Sequence, residues 1–327
     1  MDAHPELQWR RDAIWAVVVI AAAALFLANA AGQVAESIER YRSGETPLED
    51  RFDLAPLEPL EGYISAFFAA GGLLFLLYGV ALALGVQVFP RAPERPVTWT
   101  LWDVGKAAGA AYLGAMVVSS AARAALRGDP GQADVYETAI NTTVLHAAIL
   151  VMAAGYVLAT GGSLRALGFT GRGWLLNAVH GVLLYVAILP AFYLVIVLIS
   201  VVLARVGYQP APNPVIPALD EIRQAWVRWL LVGMITVFGP FTEEVFFRGY
   251  LYPAMRRRLA VAPALLINAA LFSLVHVSLV QFVPIMMLGL AMGFLFERTR
   301  SIVGPATFHI VHNSFEMILF YYATSKA

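Results

Sequence analysis

With 327 residues, 60% of them hydrophobic and 13% charged, and a mean hydropathy of +0.70, the chain is too apolar for an ordinary soluble domain and reads as a membrane protein. Its 22 basic and 22 acidic residues cancel, and the basic ones are scattered over loop ends, so the expected partner is the lipid bilayer and not a nucleic acid. Cysteine is absent, which excludes disulfides, thiolate ligands and a cysteine nucleophile and leaves His, Asp, Glu, Asn and Ser for any chemistry.

A transmembrane helix needs about 20 mostly apolar residues. Nine segments of roughly that kind follow one another, near 13–31, 64–89, 101–122, 143–160, 175–204, 226–252, 260–280, 284–296 and 302–323, the eighth being short. They predict an all-α fold, a polytopic transmembrane bundle of about eight or nine helices. The first segment, with Arg10 and Arg11 before it and small residues Ala28, Ala30 and Ala31 after it, resembles a signal peptide. It is read as a retained anchor, because later segments supply the stop-transfer pattern.

Short loops rich in Lys and Arg stay cytoplasmic. Arg10 and Arg11, Arg91 and Arg95, Arg165 and Arg172, Arg256 to Arg258, and Arg298 and Arg300 alternate onto one side, which is therefore expected to be cytoplasmic together with the N-terminus. The acidic stretch 36–61 and the proline-rich stretch 209–220 fall on the other side. Three regions result: residues 1–208 without a recognisable motif, a proline-rich loop over 209–225, and a motif-rich part over 226–327. Compact loops and Ala-rich helices fit a bacterial inner membrane.

Ionisable residues inside a membrane cost several kcal/mol and are functional suspects. They gather in the last third. The sixth segment carries Thr242-Glu243-Glu244-Val245-Phe246-Phe247-Arg248, the seventh Phe272-Ser273-Leu274-Val275-His276, and the ninth His309-Ile310-Val311-His312-Asn313. Residues four apart share a helix face, so Glu244 faces Arg248 in the favourable acid-before-base order. Glu243 points roughly 100° away and is left chemically available. Gly239-Pro240 should break or kink this helix and free backbone beside Glu243, as around a water-filled cavity. On the ninth segment His309, His312, Asn313 and Glu316 share an arc of roughly 100°, a polar face that must look inward. His146 and His180, near the expected ends of their segments, read as interfacial or packing residues, and Asp103 with Lys106 as a local ion pair.

The set Glu-Glu-x-x-x-Arg, Phe-x-x-x-His and His-x-x-x-Asn, in this order on three apolar segments, resembles the CPBP family, the CAAX prenyl protease and bacteriocin-processing membrane peptidases. The resemblance covers roughly 226–323 and implies an intramembrane endopeptidase. It casts Glu243 as the general base, His276 as the residue that holds and polarises water, and His309 and Asn313 as oxyanion donors. Glu244 and Arg248 would orient these groups, with His312 and Glu316 outside the motif in a supporting shell. Substrates of the implied type are a prenylated CAAX tail, a leader peptide or a membrane-protein loop.

No cofactor is required in this arrangement. Zinc held by Glu243, His276 and His309, with water as the fourth ligand, stands as the alternative. The metal-free form is preferred because Asn313 is a poor zinc ligand and a good oxyanion donor. The chain has no His-Glu-x-x-His, Gly-x-Gly-Asp or Gly-x-Ser-Gly, the signatures of other intramembrane proteases. Two readings from other classes are a proton-coupled carrier, which should show repeated half-domains, and a silent membrane scaffold, which has no need of Glu243 and Asn313.

Overall fold

The computed structural model describes residues 14–25, 61–205 and 219–324 apart from positions 90, 95, 126–129, 172, 220, 221, 223 and 279. Arg10, Arg11, Arg95, Arg172, residues 36–60 and most of the proline-rich stretch therefore lie outside the described residues. The described chain is helical, without a strand. Its helices are α1 (Ile14–Leu25), α2 (Glu61–Ala83), α3 (Leu101–Ala125), α4 (Pro130–Ala159), α5 (Trp174–Arg205), α6 (Ala225–Arg256), α7 (Val261–Leu274), α8 (Phe282–Thr299) and α9 (Val303–Thr324). α3 pairs with α4 and α7 with α8 as hairpins, while α5 runs along both α2 and α9.

Polarity is inverted relative to a soluble protein. Leu73, Leu76, Leu194, Val197 and Leu198 are exposed, whereas Glu244, Arg248, Asn268, Thr242 and His309 are buried. An apolar exterior around paired polar groups is the arrangement lipid imposes, and the chain is an integral membrane protein. By length and composition, four described stretches are long and apolar enough to cross a membrane alone: 139–159, 174–203, 225–256 and 282–299. Hydropathy predicts about nine spans, and α7 shows one reason for the difference, being only 14 residues long.

That shortness has a geometric consequence. At 1.5 Å per residue α7 spans about 21 Å, less than the roughly 30 Å of hydrocarbon. Starting just after the Arg256–Arg258 cluster, it ends about as deep as Glu243, which lies 13 residues, or about 20 Å, before Arg256 on α6. A helix end inside lipid needs its last carbonyls satisfied. Here the amides of Val275, His276 and Val277 return to Leu271, Ser273 and Leu274, and the His276 ring bonds the Phe272 carbonyl. The seventh predicted segment, 260–280, is thus cut at Leu274, and His276 stands in the turn beyond the helix, next to Val277 at φ +48°. A β-branched residue in the left-handed region is strained, so this turn is held by its surroundings.

α6 does not break at Gly239-Pro240. It widens: Met234–Phe238 and Val245–Leu251 are π-helical turns flanking the α-helical Gly239–Glu244 that carries both glutamates. In the first wide turn the Gly239 amide bonds the Met234 carbonyl five residues back, so the Ile235 carbonyl would await the amide of residue 240. Pro240 has none. Asn313 on α9 donates its side-chain amide to Ile235 O at 2.9 Å, so the freed backbone carbonyl is met by a side chain. The second wide turn is tied by Trp99 Nε1 to Tyr250 O and by Asn268 Nδ2 to Phe247 O.

The basic ends that the charge pattern places together do meet. Arg256 and Arg300 share Glu297 and Glu94, Tyr252 donates to Glu297, and Arg257 donates to the carbonyls of Thr98 and Trp99. At the start of α3, Asp103 pairs with Lys106 at 2.7 Å, the expected local ion pair, and accepts from Thr100.

Candidate active site

Glu244 and Arg248 are both fully buried, 2.9 Å apart, one helical turn from each other on α6. The guanidinium uses Nη1 for the carboxylate and Nη2 for the Gly289 carbonyl on α8, and its Cζ lies over the Phe272 ring, 4.3 Å from the centroid. One cation therefore joins α6, α7 and α8. Burial of either charge alone would be costly, and the pair with its carbonyl and aromatic partners offsets that cost.

Glu244 passes this order to α9. Its Oε1 also accepts from His309 Nδ1 at 3.0 Å, which turns Nε2 of the same ring towards Glu243, 4.0 Å from Oε2. His309 is nearly buried, at 6% side-chain exposure. Phe272 serves both histidines: its ring meets His276 and His309 edge-on at centroid distances of 5.0 and 5.5 Å, and its carbonyl fixes His276 Nδ1 at 2.8 Å. The apolar member of the Phe-x-x-x-His motif is thus the hub on which Arg248 and two rings rest. Sequence reasoning quotes that position without giving it a role, since the contacts are between helices.

The Glu243 side chain is one-quarter exposed. Its Oε2 has no hydrogen-bond partner. Its Oε1 lies 3.4 Å from Nε2 of His146. His146 is the neighbour of Glu243 that hydropathy hides. The fourth segment, predicted from 143, begins as a helix at Pro130 because the polar stretch 130–142 is helical too, so His146 sits mid-helix and not at an end. The expectation of an interfacial or packing residue is corrected by its contact with Glu243. His180 packs edge-on against Phe89 at 5.2 Å, as a packing residue does.

Asn313 lies one turn beyond His309, with one amide hydrogen committed to Ile235. The other two polar residues of α9 turn to α5. His312 is held edge-on between Tyr185 and Phe192 at 5.7 and 5.1 Å with Nδ1 unpartnered, and Glu316 accepts from Tyr193 OH. The polar face of α9 therefore splits into a flank on α6, with His309 and Asn313, and a flank on α5, with His312 and Glu316.

Zinc needs three or more protein donors converging at about 2.0–2.2 Å from one point. Among the described residues no three His, Asp or Glu side chains gather in that way. Glu243, His276 and His309 share one neighbourhood without forming such a set, so the chemistry below is derived from the side chains alone.

Residues 224–315 match the family model described as "Type II CAAX prenyl endopeptidase Rce1-like". A curated relative, "Putative membrane peptidase YdiL" of Bacillus subtilis (strain 168), is 29% identical over 90 residues. That stretch is 28% of this chain and 37% of the relative, so the chain spans little more than a third of the protein it matches. No solved structure matches the chain. All three motifs, together with every contact among Glu243, Glu244, Arg248, Phe272 and His309, fall within 224–315, the stretch that is similar to the Rce1-like family.

Proposed function

We propose that this protein is an intramembrane endopeptidase in which Glu243 activates water to hydrolyse a peptide bond. The observation that carries the reading is the division of labour between adjacent glutamates. Glu244 is neutralised by Arg248 and orients His309, while Glu243 keeps a buried Oε2 without a hydrogen-bond partner, facing the ring that Glu244 orients. A carboxylate so placed takes a proton from water as the oxygen attacks the scissile carbonyl, then returns it to the leaving amine. The developing oxyanion is met by His309 and by the second amide hydrogen of Asn313, each such donor being worth about 10²- to 10³-fold in rate. With Nδ1 donating to Glu244, His309 Nε2 can donate only when the ring carries both protons; His276, fixed through Nδ1, presents Nε2 to the same space.

Its substrates are peptide segments at the membrane, of the prenylated CAAX-tail, leader-peptide or membrane-protein-loop type, entered from the side of the Arg256–Arg258 cluster. We place that side at the cytoplasm of a bacterial cell, with the N-terminus on it. Purified protein in liposomes is to be offered a farnesylated CAAX peptide, its unprenylated form and a leader peptide, with products read by mass spectrometry. One of them should be cut by the wild type and none by Glu243→Gln, whose thermal unfolding should be unchanged. Near-normal cleavage by Glu243→Gln removes the assignment. Elemental analysis of active protein tests the metal-free form: stoichiometric zinc that is lost on His276→Ala or His309→Ala would replace it with the zinc form.

A further inference from the structure

The activity proposed above leaves His146 without a task, although it is the side chain nearest to Glu243 from outside the family-matched stretch. Its Nδ1 donates to the Thr142 carbonyl one turn earlier, at 2.7 Å, which fixes the ring and leaves Nε2 facing Glu243 Oε1 at 3.4 Å, where it donates only when the ring carries both protons. Room for this approach comes from Gly239, one turn before Glu243 on α6: a Cβ there would stand 3.3 Å from Nε2. The ring is 15% exposed, held between α4 and α6. On the far side of the carboxylate, His309 Nε2 stands 4.0 Å from Oε2. Glu243 also lies in the field of His276, and Arg248 in that of Glu243 and Glu244.

A carboxylate alone in a cavity turns about its Cγ–Cδ bond and offers either oxygen. Here one oxygen is engaged from α4 and the other faces α9. We propose that His146 is a positioning residue: as an imidazolium donating from Nε2 to Oε1, it aims Oε2 at the reacting water and towards His309. The inference rests on the reading of Glu243 as the base. The competing role is interhelical adhesion between α4 and α6, which would affect stability and leave turnover per folded molecule untouched.

His146→Ala, assayed in liposomes on the peptide the wild type cuts, should lose roughly 10- to 100-fold in kcat with KM nearly unchanged, the size of loss expected for a misplaced catalytic group. His146→Gln, whose side-chain amide can donate to Oε1, should recover most of that loss, and His146→Leu, of similar bulk, should not. Should the alanine variant fail to fold, the comparison of Gln with Leu decides. Wild-type kcat in His146→Leu overturns the proposal. If the wild type cuts none of the peptides, the protease reading is what fails for them, and thermal unfolding then judges the contact: the Tm losses of His146→Leu and Glu243→Ala should fall short of additive when combined. Strict additivity would show no contact and overturn the inference.

Discussion

Arg248 illustrates how much one side chain settles. Both charges of its pair are fully buried, its second nitrogen reaches the Gly289 carbonyl, and its Cζ lies over the Phe272 ring. Removing it as Arg248→Ala strands the Glu244 carboxylate away from water, a loss of about 3–5 kcal/mol for a broken buried pair. Lower yield and a lowered Tm in detergent are expected, with loss of activity following from His309 losing its orientation. Lysine should not rescue, since an ammonium is a point charge that cannot bond Glu244 and Gly289 at once while stacking on a ring. A stable, active Arg248→Lys protein would mean that the pair supplies charge alone. This pair was legible from four-residue spacing, because both members belong to one helix. Phe272 and His146 were not, because their partners arrive from other helices.

At the scale of the helix, α6 shows a local exception answered from a neighbour. Pro240 withholds an amide, the turn before it widens, and Asn313 of α9 supplies the missing hydrogen to Ile235. Asn313→Ala should therefore do two things: reduce kcat by about 10²-fold through the oxyanion, and lower stability by about 1–3 kcal/mol through an unsatisfied buried carbonyl. The two effects separate in a cycle with Pro240→Ala, which restores an amide five residues after Ile235. In that background Asn313→Ala should cost less in Tm while its loss of kcat persists. Equal Tm losses in both backgrounds would rule out the shared carbonyl. Hydropathy shows that α6 is a helix and that proline disturbs it, yet the choice between a break and a wide turn depends on Asn313, 73 residues later. The ends of α4 and α7 escaped for a related reason: the apolar stretch marks what lies in lipid, and helices need not begin or stop there.

At the scale of the molecule, helices of the motif-poor and motif-rich regions are tied to one another. Trp99 and Arg257 tie the start of α3 to α6, His146 brings α4 to Glu243, and α5 lies so close to α9 that a Cβ on Gly181 would stand 2.4 Å from the Gly304 carbonyl. A fragment of residues 224–327, which contains all three motifs, is accordingly expected to express without a cooperative thermal transition and without cleavage activity. Co-expression with residues 1–223 should restore both if the helices reassociate. Activity from the short fragment alone would show that α3 to α5 are dispensable. The family resemblance was legible because its motifs are local strings. The part played by the motif-poor helices had no string to announce it and emerges only from packing.

Under the proposed function, the split polar face of α9 bears on how a peptide would get in. Tyr193 and the aromatic clasp on His312 fasten one edge of this helix to α5, while His309 and Asn313 fasten the other to α6. A rod pinned along both edges can neither roll nor swing without breaking bonds on each side, so α9 behaves as the fixed jamb of the doorway. α7 is fastened differently: it stops at about the depth of Glu243, and the exposed His276 ring is held beyond its end through the Phe272 carbonyl, beside the strained Val277.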